Sequence, residues 1–133
     1  KANGSVMTKI EMGPKRSLGR LASVDLQKFE VTIVEFRMYP ELDYVASYWL
    51  PYDADPYDGA AISVFVLSKE TDVPPFYELE VLSPALFLQP GEQYQHISRT
   101  YHLRGDRDTI AQICERHLNA DLETLQEFDR NSP

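Results

Sequence analysis

Apolar and polar residues alternate along much of this chain up to Leu103, and the period then lengthens. Phe29, Val31 and Ile33 alternate with Glu30 and Thr32, the period of two expected of a strand with one buried face. Beyond Ile33 the pattern slips by one, so that Val34 and Phe36 fall on the other parity. A bulge, or burial on both faces, accounts for such a slip. Residues 21–25 and 29–38 therefore read as a hairpin, and residues 6–12 as an earlier strand closed by the Gly13-Pro14 turn signal. Residues 44–50, 61–67 and 76–82 are further strands, separated by turn clusters at 53–59 (DADPYDG) and 71–75. Pro84 lacks the N–H a ladder needs, which leaves 85–88 as a separate short strand or a bulged continuation. Gln89-Pro90-Gly91-Glu92 is a strong turn, and 93–103 is a long strand leaving it.

After Gly105 the spacing becomes helical. Asp106 or Asp108 can cap a helix by accepting the free N–H groups of its first turn. Ile110, Ile113, Cys114, His117 and Leu118 form one apolar stripe. Asp121 opens a second short helix with Leu122, Leu125 and Phe128 turned inward. The reading is a mainly β chain of roughly eight strands. It is an antiparallel β-sandwich over residues 1–133 with a short C-terminal helical tail at 106–128.

Composition narrows the function. The chain has 133 residues, enough for one domain with a real core. Its net charge is −8, and its basic residues are scattered, with Lys15-Arg16 and Arg104/Arg107 the nearest to clusters. Nucleic-acid binding draws on clustered Lys and Arg, so no nucleic-acid partner is expected. No apolar run approaches the ~18 residues of a membrane span. Cys114 is the one cysteine, which excludes an internal disulfide and speaks against a cysteine metal site. It reads as a small apolar core residue. No metal and no cofactor are expected. The opening at Lys1, with no signal-like apolar segment, is read as a removed leader or a piece of a longer chain.

The candidate chemistry lies between Tyr44 and Leu103. Glu78 and Glu80 share one strand face about 6.6 Å apart. In a partly dry cleft their repulsion amounts to roughly 2.5 kcal/mol, enough to tune one toward the neutral pKa of a general base; in bulk water it falls to about 0.6 kcal/mol. They are an acid/base pair if enclosed and a solvated acidic face if open. His96 and His102 share a parity with Tyr94, Ser98 and Thr100, a polar stripe suited to a sugar or to water. No ligand spacing supports a metal at His102 with Glu78 or Glu80. Tyr44, Tyr48, Trp49, Tyr52 and Tyr57 gather near one loop. They are flat platforms for sugar C–H faces, or fillers of the two faces of their strand. DPYDG lacks the ladder of a calcium loop. No phosphate-binding glycine loop, nucleophile elbow or Cys/His pair is present.

The ordered set F-Y-E-L-E-x-x-S-P-A, L-x-P-G-E and R-T-x-H-L-x-G resembles the C-terminal part of galactose mutarotase-like proteins, in particular an uncharacterised bacterial branch. The likeness runs from about Ile10 to Leu125 and includes Pro56-Tyr57-Asp58-Gly59. The resemblance implies a β-supersandwich that binds carbohydrate. It also implies the aldose 1-epimerase reaction, in which a glutamate removes the anomeric hydroxyl proton and a histidine protonates the ring oxygen. Glu80 matches that glutamate by position, with Glu78 second, although Val81-Leu82 stands where Pro-Gln commonly follows. The family histidines lie upstream of the matched region, so His96 and His102 do not inherit the acid role. Tyr57, Trp49, Arg99 and His102 are the expected substrate-binding residues. A full sandwich of this kind is longer than this chain. The resemblance therefore implies that a missing N-terminal segment or partner chain completes the fold and the sugar cleft. By analogy with related bacterial proteins it suggests a periplasmic or extracellular location. A non-catalytic carbohydrate-binding or structural β-sandwich domain of a glycan-processing protein is the alternative.

Overall fold

The computed structural model describes residues 6–46, 55–70 and 72–131. Among them are six strands: β1 (Thr8–Met12), β2 (Arg20–Asp25), β3 (Glu30–Phe36), β4 (Ile62–Val66), β5 (Tyr77–Val81) and β6 (Ser98–Arg104). Two helices follow, α1 (Arg107–Ile113) and α2 (Leu122–Asn131). The strands form two three-stranded antiparallel sheets, ordered β1-β4-β5 and β2-β3-β6. The fold is mainly β with a helical tail.

The chain divides into two compact units, one of residues 22–33 and 100–133, the other of residues 2–21 and 34–99. The division cuts β3 after Ile33, where the hydrophobic pattern slips. Val31 and Ile33, before the cut, join the core of the first unit with Ile110, Cys114 and Leu122. Phe36, after it, joins the core of the second with Tyr44, Ala61 and Ile62. The slip thus marks burial on alternate parities in two different cores rather than noise in one strand.

In the first unit the β2–β3 turn is tied by Asp25, whose Oδ1 accepts from Gln27 N at 3.0 Å and Lys28 N at 2.9 Å. Asp106 caps α1 by accepting from Thr109 N at 2.8 Å, and Asp121 Oδ2 accepts from Thr124 N at 2.8 Å. Ile110 and Cys114 are fully buried, as the helical stripe requires. Residues Cys114–Leu118 form a wider π turn, which takes His117 off the stripe and leaves it exposed. Phe128 is also exposed, and Leu122 is the buried residue of α2.

In the second unit, Leu21 of β2 and Phe36 of β3 share a core with Ile62 of β4 and Val81 of β5. Residues from both sheets thus meet in one apolar cluster, as in a sandwich. Two of the strands read from the sequence differ. Residues 85–88 form no strand, because Pro84 supplies no ladder donor and the Ala85 N–H donates to the Asp43 carbonyl at 2.8 Å. The last strand begins at Ser98 rather than at Gln93. The strand read at 44–50 falls largely outside the described residues; Tyr44 makes an isolated parallel bridge to Asp58.

Candidate functional site

The register of the first sheet fixes the surroundings of Glu78 and Glu80. Glu80 lies opposite Ser63, and Glu78 opposite Phe65, on β4. Across β4, Ser63 pairs with Glu11 and Phe65 with Lys9 of β1. Alternation therefore places Lys9, Glu11, Ser63, Phe65, Glu78 and Glu80 on one sheet face. Lys9 reaches diagonally over the central strand, and its Nζ meets Glu80 Oε2 at 3.1 Å. The Lys9 side chain is 16% exposed and that of Glu80 34%, so the pair is partly shielded.

Burial opposes the charged form of Glu80, but Ser63, Lys9 and Glu78 together outweigh it, and its carboxyl titrates below the ordinary glutamate value. The Ser63 hydroxyl takes part in this although it falls short of full hydrogen-bond geometry. A general base tuned toward neutral pH needs the opposite shift.

None of β1, β4 and β5, the strands of this face, carries the other expected residues. His102, on β6, contacts Thr32 Oγ1 through Nδ1 at 3.1 Å in the first unit. Arg99 lies on the same strand, exposed. His96 packs against Phe36 with ring centroids 5.8 Å apart, and its Nε2 is buried without a hydrogen-bond partner among the described residues. Trp49 lies outside the described residues. No group of three His, Cys, Asp or Glu among the described residues could hold a metal ion. No helix there is long and apolar enough to cross a membrane.

Tyr57 belongs to a cleft of about 510 Å³ in the second unit. Three chain segments build it. On the first, Gly13-Pro14 opens a 3-10 turn, Pro14–Arg16. Proline suits its first position because the lost N–H has no partner there. The second is the loop at 40–44, which ends on Tyr44. That ring is 1% exposed, and its hydroxyl accepts from Tyr39 N at 3.2 Å.

The third segment is the turn read from DADPYDG. Asp55 Oδ1 accepts from Tyr57 N at 2.9 Å, an aspartate turn. It is pinned to the second segment by Gly59 N donating to Tyr44 O at 2.9 Å, and by Ala46 N donating to Pro56 O at 2.8 Å. A Cβ at Gly59 would overlap the Val45 carbonyl, so the backbones approach this closely only with glycine.

The chemistry of the cleft is mixed. Tyr57 is 43% exposed and leans on Phe87, centroids 5.6 Å apart and rings tilted by 59°. Phe87 is itself 75% exposed. Glu41, Asp43 and Asp58 bring carboxylates, Lys15 and Arg16 bring cations, and none of the five forms an ion pair with a described residue. Neither Glu78 nor Glu80 lines the cleft. Tyr57 and the Pro56–Gly59 motif were visible in the sequence. Lys15, Arg16, Glu41 and Asp43 reach the cleft through loop approach, which no period encodes.

Residues 1–129 match a family of unknown function, DUF6786, and the chain belongs to that family. No curated protein and no solved structure matches it significantly.

Proposed function

Starting from a family that brings no activity with it, we propose that this chain is a carbohydrate-binding β-domain whose ligand occupies the cleft beside Tyr57. The observation that supports this most is the juxtaposition of the exposed Tyr57, backed by Phe87, with cleft-wall carboxylates that form no ion pair with a described residue. A sugar ring offers an apolar C–H face and a rim of hydroxyl donors. The aromatic surface suits the first, and carboxylates, which only accept, suit the second. A cleft of this volume falls within the range of small-molecule sites.

The ordered motifs favour a second reading, the aldose 1-epimerase type, with Glu80 as base and Glu78 beside it. Glu80 would be ionised at neutral pH, but Lys9 holds its charge, so the proton affinity a base needs is weakened. In this reading a missing N-terminal segment or partner chain supplies the acid. Arg99, His102 and Trp49 remain proposed sugar contacts that such a partner would bring into use.

Calorimetric titration with glucose and galactose tests the first reading: the chain binds, and Tyr57→Ala weakens binding by about tenfold. Equal affinities for the two proteins would end it. Polarimetry of fresh α-glucose tests the second. Equal mutarotation rates with wild type and Glu80→Gln would remove Glu80 as base.

A further inference from the structure

The cleft carries two cations that the neutral-sugar reading does not use. Lys15 and Arg16 are adjacent on the 3-10 turn Pro14–Arg16, exposed, and line the cleft wall. The turn is held by Arg16 N donating to Gly13 O at 3.1 Å and Ser17 N donating to Pro14 O at 3.3 Å. Ser17 is buried, and its Oγ accepts from Gly19 N at 3.1 Å. The two side chains therefore stand on a fixed base.

Acidic residues outnumber basic ones in this chain, 21 to 13, yet only some of the described lysines and arginines are paired with a carboxylate. Lys9, Arg20, Lys28, Arg104 and Arg107 each take one. Lys15 and Arg16 form no ion pair with a described residue, although Glu41, Asp43 and Asp58 line the same cleft. The cations sit on one segment and the carboxylates on the other two. Opposite charges thus face one space without neutralising each other there.

Resting on the carbohydrate reading of this cleft, we infer that its ligand is an anionic sugar, one whose ring carries a carboxylate or phosphate group. Lys15 and Arg16 receive the anion, arginine through its planar fork and lysine as a point charge. Glu41, Asp43 and Asp58 accept from ring hydroxyls, and Tyr57 meets the ring face. The carboxylates serve a second purpose. They repel an anion from their own side of the cleft and so fix which end of the sugar enters toward the cations.

The test is titration of the full chain with glucose, glucuronate and glucose 6-phosphate at low and moderate salt. At least one anionic sugar should bind about fivefold to tenfold more tightly than glucose. The difference should shrink as salt rises. Lys15→Ala/Arg16→Ala should abolish this preference, while Lys15→Arg retains it. Preference for glucuronate or for glucose 6-phosphate tells which anion is read. Equal affinity for all three sugars overturns the inference while the carbohydrate reading stands. If no sugar binds, both fall.

Discussion

Two groups of carboxylates in one unit of this protein differ in what has been done with their charge. On the face of the first sheet, Glu80 is half-shielded and paired with Lys9 at 3.1 Å. In the cleft, Asp43, Asp58 and Glu41 are exposed and form no ion pair with a described residue. A pair on a regular sheet satisfies itself through register, because strands place complementary side chains within reach. Charges on three separate loops are held apart by the backbone and stay available to a ligand. The paired site serves the fold, while the other is the one we propose for binding.

The largest expected effect comes from closing the cleft. Gly59→Val would force a side chain into the Val45 carbonyl. Overpacking of this kind costs about 1–3 kcal/mol; thermal unfolding should show the loss, and titration should show sugar affinity falling well beyond tenfold. Retained affinity would mean that the approach of the segments at 44–46 and 56–59 does not shape the site.

A smaller effect is expected on the sheet face. Glu80→Gln should lower stability by about 0.5–1 kcal/mol in chemical denaturation, reflecting a partly exposed pair. It should leave sugar affinity unchanged. The pH dependence follows from the same pair. Folding lowers the Glu80 pKa, so its contribution is complete above the ordinary glutamate range and is lost as pH falls through the lower folded value. Lys9→Met removes two of the influences that lower it and leaves burial in place, so the Glu80 pKa should rise. Carboxyl NMR titration reads this directly, and an unchanged midpoint would show that Lys9 does not hold the charge.

The smallest change lies in the other unit. Asp106→Ala removes the acceptor for Thr109 N. It should loosen the first turn of α1, seen as faster amide exchange at Thr109, with sugar binding unaffected.

Regular periodicity carried the helical end and most strands. Ile110 and Cys114 were readable because a stripe at helical spacing has to be buried somewhere. Glu78 and Glu80 were readable as sharing a face for the same kind of reason. The slip after Ile33 was visible, but its meaning was not, since a one-letter pattern does not say that a strand enters a second core. Lys9 as the partner of Glu80 was also hidden: it is 71 positions away and two strands across. The Pro56–Gly59 turn was legible from its own chemistry. What it meets depends on backbone approach at Gly59, which leaves no periodic trace.

The central claim is that sugar binds in the Tyr57 cleft and not at the Glu80 face. Titration of wild type, Tyr57→Ala and Glu80→Gln with one set of sugars tests it most directly. The account predicts that Tyr57→Ala loses about tenfold in affinity while Glu80→Gln matches wild type. Loss of affinity with Glu80→Gln and none with Tyr57→Ala would contradict it.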